Sequence, residues 1–228
     1  MTFVKSAAVA AAALYLSAGA VRAADLPPAP VVPAFVEAAL GFYVHVGPAA
    51  IVMSEGATLK VAGQPQAGAT IAIKSQVTPS VELGYFVTPN VAVSFTGGIP
   101  PLAKIEGDGS MKGYPTIGKA TYGPMTLTAH YHFMNLGPIQ PYLGVGPAFM
   151  YVFDNNDGLL GDLKVKNTVG IAFQAGADIM VNRNWGLFVD VKKALLRTTA
   201  TGVLGPYPAK ADVTLDPLVV SGGLTYRF

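Results

Sequence analysis

Val220-Ser221-Gly222-Gly223-Leu224-Thr225-Tyr226-Arg227-Phe228 ends the chain, and its reading decides the fold. Val220, Gly222, Leu224, Tyr226 and Phe228 share one face, while Ser221, Gly223, Thr225 and Arg227 share the other. A period of two is the signature of a β-strand, and the two faces call for different surroundings. The pattern recurs upstream. Met125, Leu127, Ala129, Tyr131 and Phe133 alternate with Thr126, Thr128, His130 and His132. Val169, Ile171, Phe173, Ala175 and Ile179 stand against Thr168, Gln174 and Asp178. Trp185, Leu187, Val189 and Val191 stand against Phe188, Asp190 and Lys192.

Composition identifies the surroundings. Of 228 residues 51% are apolar and only 12% charged, with a mean hydropathy of +0.44. That is half the charge of an ordinary soluble domain, and such a chain in water would expose apolar surface and aggregate. A membrane is the matching solvent. After the first residues, only Glu37 to Glu55 resembles a transmembrane helix, but it holds Gly41, Gly47 and Pro48 and falls short of a span. Strands must therefore cross the bilayer, and in lipid they do so only as a closed barrel. The net charge of +2 is small and its basic residues are scattered, which argues against nucleic acid as a partner. The lack of cysteine excludes disulfides, thiolate metal sites and cysteine nucleophiles.

The opening has the form of an export signal: Lys5, an apolar run from Ala7 to Leu16, then Val21-Arg22-Ala23. Cleavage is expected after Ala23, giving a signal peptide at 1–23, a Pro-rich periplasmic tail at 24–38 and a barrel at 39–228. The barrel is read as all-β, eight-stranded, antiparallel and transmembrane. Its strands are expected at 40–54, 72–87, 91–105, 118–133, 140–153, 165–181, 185–200 and 211–228. Thr88-Pro89-Asn90, Met134 to Ile139 and Asn182-Arg183-Asn184 are short turns, and the links near 55–71, 106–117, 154–164 and 201–210 are read as longer loops. Short periplasmic turns and long outer loops are the habit of outer-membrane barrels. Phe42, Tyr85, Phe133, Trp185, Tyr226 and Phe228 fall at the short-turn ends, where an aromatic girdle belongs, and Phe149, Tyr151 and Phe153 approach the opposite rim.

Alternation points His45, Glu82, His130, His132, Asp178, Asp190, Lys192 and Arg227 into the lumen. Strand direction places them in the periplasmic half, Lys192 near mid-height. Ile51, Met53, Met150, Val152, Gly170 and Ala172 fall in the upper half. The expectation is an apolar chamber toward the outside above a charge-paired polar network, because isolated charges there would be costly. Pro48, Pro79, Pro124 and Pro147 each remove a ladder donor and mark either strand bends or a lateral opening.

His130-x-His132 with His45 supplies three imidazoles, but nothing adds a closely spaced fourth ligand, so neither metal nor cofactor is expected. Ser80, Ser94 and Ser221 point inward without a nucleophile motif, so no enzyme is expected. Asp154-Asn155-Asn156-Asp157-Gly158 lacks the terminal Glu of a calcium loop and reads as a solvated turn.

Several segments resemble the outer-membrane protein W (OmpW) family. They are Tyr85-Phe86-Val87-Thr88-Pro89-Asn90-Val91-Ala92-Val93, Thr126 to Phe133, Gln140-Pro141-Tyr142-Leu143-Gly144-Val145-Gly146, Gln174 to Asp178, Asn182 to Trp185, Asp190 to Lys193, Leu215-Asp216-Pro217 and Gly222 to Phe228. The ending Tyr226-Arg227-Phe228 is similar to the aromatic signal by which such barrels are recognised for assembly. The resemblance implies a narrow barrel that admits small hydrophobic molecules and releases them sideways into the membrane. Implied partners are the barrel-assembly machinery, outer-membrane lipid and lipopolysaccharide, and a small hydrophobic ligand. A structural or adhesive surface barrel is the alternative, and a lipid-modifying enzyme a third.

Overall fold

A computed structural model of the chain describes residues 40–228. The expected signal peptide and Pro-rich tail lie outside the described residues.

Eight wall strands run in chain order, most of them in two segments. Wall strand 1 is β1 (Phe42–Val52) and β2 (Gly56–Val61), which turns back through the short β3 (Gln64–Pro65). Wall strand 2 is β4 (Ala69–Ile73) and β5 (Gln76–Phe86), and wall strand 3 is β6 (Val91–Gly98) and β7 (Leu102–Gly109). Wall strands 4 and 5 are the unbroken β8 (Gly118–His132) and β9 (Ile139–Asp157). Wall strand 6 joins β10 (Gly161–Val165) to β11 (Thr168–Met180). Wall strand 7 joins β12 (Trp185–Leu195) to β13 (Arg197–Leu204), and wall strand 8 joins β14 (Tyr207–Thr214) to β15 (Leu218–Arg227).

Each wall strand pairs antiparallel with its sequence neighbours, and β15 returns to β1 in the register Tyr43↔Arg227 through Val52↔Leu218. The lower ring is thus closed, with no edge left for lipid to meet. Outward side chains form the membrane belt. Val46, Leu83, Phe95, Leu143, Phe173 and Val189 are all exposed apolar residues. From Trp185 to Leu195 the outward face of β12 covers 11 residues, about 25 Å at ordinary strand tilt and rise, the height of a bilayer's apolar core. Aromatic pairs mark the lower border: Phe42 and Tyr85 have ring centroids 4.8 Å apart, and Trp185 and Tyr226 4.6 Å.

Above the belt the strands continue, which corrects the expectation of long loops. β2, β4, β7, the upper half of β9, β10, β13 and β14 occupy most of 55–71, 106–109, 154–157, 161–164 and 201–210. Asp154 to Asp157 belong to β9 rather than to a solvated turn. The reason lies in the pattern. Leu59-Lys60-Val61, Leu163-Lys164-Val165 and Ala209-Lys210-Ala211 alternate as strictly as the membrane strands do, but with the apolar residues inside and the cations outside. The wall has left lipid for water, so its outer face turns polar while its inner face stays packed.

This upper part is paired in two arcs, β10-β13-β14-β2-β3 and β4-β7-β8-β9. Side chains bridge the seams. Asp157 accepts from the backbone N–H groups of Leu163 at 2.9 Å and Asp162 at 3.1 Å, and Asn155 accepts from Val165 N at 3.1 Å. Across the other seam Glu55 accepts from Ile73 N at 2.9 Å.

Candidate functional site: an apolar chamber above an ionic network

The lumen is divided by height. In the lower half all eight sequence-derived polar residues converge. Lys192, only 5% exposed, places Nζ 2.6 Å from Asp190 Oδ1 and 2.9 Å from Glu82 Oε2. Arg227 donates to Asp178 Oδ2 at 2.7 Å. His45 lies between two acids, Nδ1 3.5 Å from Glu82 and Nε2 3.0 Å from Asp178. Two fixed cations, Lys192 and Arg227, and the imidazole of His45 then face three carboxylates.

Neutral groups complete the network, and most of these the sequence reading missed. Tyr43 and Tyr142 donate to Glu82 and Asp190 at 3.1 and 2.9 Å. Gln174 Nε2 donates to Asp190 at 2.7 Å, and its Oε1 accepts from Thr128 at 2.7 Å. Both tyrosines look like girdle aromatics from composition alone. Parity would have found them, since Phe42 faces out and Tyr43 must therefore face in. Glycines admit their rings: a Cβ on Gly84 would lie 2.1 Å from the Tyr43 ring, and one on Gly176 2.5 Å from that of Tyr142. His132 is fully buried, its ring 4.7 Å from Tyr142 and 4.8 Å from Phe86.

Ser94 is the one sequence-flagged serine brought to a histidine. Its Oγ is 2.8 Å from His130 Nε2, but Nδ1 of that ring faces the Tyr43 hydroxyl at 3.4 Å rather than a carboxylate. Ser94 is 1% exposed and is no part of the lining of the apolar chamber or of the cavity beside Lys192.

Above Lys192 the character changes. A cavity of about 80 Å³ is lined by Met53, Met150 and Val152 together with Leu59, Ile71, Ile105, Leu163, Val213 and others. Thr70, Thr198 and Tyr122 are the polar side chains in this wall, and the Thr198 hydroxyl is taken by the Lys166 carbonyl at 2.6 Å. Met111, Leu160 and Leu204 line its outer end. Most of this lining comes from the upper strand extensions, so the sequence reading found only Met53, Met150 and Val152.

Ile51 lines a second, smaller cavity beside Lys192, together with Thr78, Gly97, Gly98, Ile99, Pro124 and Thr126. This cavity abuts an interruption in the wall. The pairing of wall strands 3 and 4 is regular at Thr96↔Thr126 and again at Leu102↔Thr121. In between, Ile99-Pro100-Pro101 faces Tyr122 to Pro124 with one main-chain bond, Tyr122 N to Pro101 O at 3.2 Å. Toward wall strand 2 one main-chain bond persists, Ile99 N to Pro79 O at 3.2 Å, and side chains extend it: Thr78 donates to Ile99 O at 2.7 Å and Gln76 to Leu102 O at 2.8 Å. Of the four prolines singled out from the sequence, only Pro124 faces this gap. Pro48 and Pro79 oppose each other in continuous register, and Pro147 pairs with Ile171. Pro100 and Pro101, which lack the N–H groups the gap would need, were not singled out.

Known proteins are similar to this chain in sequence and fold. The OmpW family model matches residues 39–228. Outer membrane protein AlkL of Ectopseudomonas oleovorans is 34% identical, over 75% of this chain and 74% of its own length. The dibenzothiophene metabolism operon protein PahQ of Pseudomonas aeruginosa is also 34% identical, over 81% of this chain and 87% of its own. The solid-state NMR structure of AlkL in lipid bilayers superposes with a TM-score of 0.69 at 30% identity, covering 83% of this chain and 90% of that one. The closed eight-strand ladder, its lipid belt and this match along the whole described barrel agree: the chain is a bacterial outer-membrane barrel and belongs to the OmpW family.

Proposed function

We propose that the barrel admits small hydrophobic molecules into the upper chamber and releases them sideways into the membrane between wall strands 3 and 4. The observation that carries this reading is the change of lumen chemistry at Lys192, from apolar lining above to a closed ionic network below. An apolar solute that reached the network would have to displace charge-paired groups, which is costly. The gap at Ile99 to Pro101 lies at that level, beside a cavity whose threonine and serine hydroxyls are largely satisfied: Thr78 by Ile99 O, Ser80 by Gly47 O and Thr96 by Glu82. Hydrocarbon in the bilayer is as apolar as the chamber, so sideways exit loses none of the ~0.8 kcal/mol per buried CH₂ gained on leaving water.

Size sets a condition. The chamber of about 80 Å³ is smaller than the ~150 Å³ hole that takes up benzene in a protein core. A ring or short alkane enters only if side chains yield, and Met53, Met111 and Met150, unbranched and adaptable, are placed to do so. Similarity to a protein named for a dibenzothiophene metabolism operon supports an apolar ring compound as one ligand class.

The test is entry of a hydrocarbon or apolar dye into liposomes that carry the full barrel. Entry faster than into empty liposomes is expected, and equal rates overturn the proposal and favour a structural or adhesive barrel.

A further inference from the structure

The outer wall above the lipid belt carries cations whose placement the lumen does not explain. Lys104 and Lys119 are directly opposite each other on wall strands 3 and 4, both pointing outward between inward Ala103, Ile105, Gly118 and Ala120. Like charges at such cross-strand positions repel. On the far side, Lys166 and Arg197 line an outward groove with Thr58, Thr199, Thr214 and Asp212. The register builds this groove: Thr199 pairs with Asp212 and Asp212 with Thr58, Lys166 N bonds Thr199 O at 3.0 Å, and Arg197 opposite Thr214 forms the row below. Asp212 is engaged by Thr199 Oγ1 at 3.2 Å and by Lys210 at 3.6 Å. No carboxylate of the described residues lies within 4.0 Å of the side-chain nitrogens of Lys104, Lys119, Lys166 or Arg197. Height is the second observation. Arg197 stands two residues above Leu195, and Lys104 two above Leu102, both exposed apolar residues of the belt. The cations therefore sit where the headgroups of outer-leaflet lipids sit.

We propose that the Lys166–Arg197 groove and the Lys104–Lys119 pair bind the phosphate groups of an outer-leaflet phosphorylated glycolipid. Arg197 offers a planar fork of donors, Lys166 a point charge, and the threonine hydroxyls further donors to phosphate oxygen. A phosphate shared by Lys104 and Lys119 would turn their repulsion into attraction. The proposal is independent of what passes through the lumen.

The test uses the full barrel in phosphatidylcholine nanodiscs doped with bis-phosphorylated lipid A or with the same lipid dephosphorylated, bound lipid being counted by native mass spectrometry. Retention of the phosphorylated form should exceed the dephosphorylated form about tenfold. Lys166→Gln with Arg197→Gln, and Lys104→Gln with Lys119→Gln, should each lower retention several-fold. Lys74→Gln should leave it unchanged, because Lys74 is paired with Glu106 at 3.1 Å. Heat-modifiable gel mobility confirms that each variant is folded. Equal retention of the two lipids, or unchanged retention in both double variants, overturns the proposal. So does displacement of the lipid by millimolar inorganic phosphate, which would make the groove a soluble-anion site.

Discussion

Replacing Lys192 by Met removes the cation that lies between Glu82 and Asp190, at 2.9 and 2.6 Å. Both carboxylates remain buried, and they share one donor, Gln174 Nε2, which also reaches Glu82 at 3.2 Å. Asp190 keeps neutral donors, Tyr142 at 2.9 Å and Gln174 at 2.7 Å. Glu82 keeps Thr96 at 2.7 Å, Tyr43 at 3.1 Å and His45 at 3.5 Å. Removing one member of a buried ion pair typically costs about 3–5 kcal/mol, since the other charge is stranded. With a urea slope of about 2–3 kcal/mol per molar, the unfolding midpoint should fall by roughly 1–2.5 M. Trp185, the single tryptophan, faces lipid and reports the transition in vesicles by its fluorescence. Adding Asp190→Leu to Lys192→Met should recover part of the loss, because one stranded charge goes with its partner. As a surface comparison, Lys210→Gln breaks a 3.6 Å pair that is more than half exposed, a change worth less than about 1 kcal/mol. A Lys192→Met midpoint indistinguishable from that of Lys210→Gln would refute the reasoning, because the network would then be hydrated rather than sealed.

Three further outcomes follow from the same geometry. Asp178→Ala, which strands Arg227 and His45, should lower the urea midpoint more than Ser94→Ala does; equal midpoints would contradict a charge-paired lower lumen. Met150→Asp puts a carboxylate into the chamber wall and should bring hydrocarbon entry down to that of empty liposomes while the barrel still migrates as a folded species, so an unchanged rate would speak against passage through the chamber. Gly97→Phe should slow entry without unfolding the barrel. A Cβ there meets only the Phe95 ring at 3.6 Å, so the new ring can cover the lipid side of the gap, and full-rate entry would rule out exit at that place.

How much of this was legible in the sequence depended on which side of the membrane border a strand lay. Below the border the pattern is apolar outside and polar inside, as in Trp185 to Lys192, and parity alone put His45, Glu82, Asp178, Asp190, Lys192 and Arg227 in the lumen. Above it the pattern inverts. Leu59-Lys60-Val61 and Ala209-Lys210-Ala211 have cations where lipid-facing residues would be, so an apolar outer face does not mark these strands, and much of the chamber lining lies on them and their like. The weak place in the wall was hidden for a similar reason. Pro100 and Pro101 lie at the junction of β6 and β7, inside a stretch whose pattern predicts one unbroken strand over 91–105. Tyr43 and Tyr142 were masked by their aromaticity, which suits a girdle as well as a buried network.

The central claim is that hydrocarbon occupies the upper lumen, and methionine methyl groups report on it most directly. With the barrel in deuterated lipid and protonated octane added, nuclear Overhauser contacts are predicted from octane to the methyls of Met53 and Met150, which line the chamber. None is predicted to Met180, which is buried at the periplasmic end of β11. Contacts to Met125, on the outward face of β8, with none to Met53 or Met150, would show octane confined to the bilayer and contradict the account.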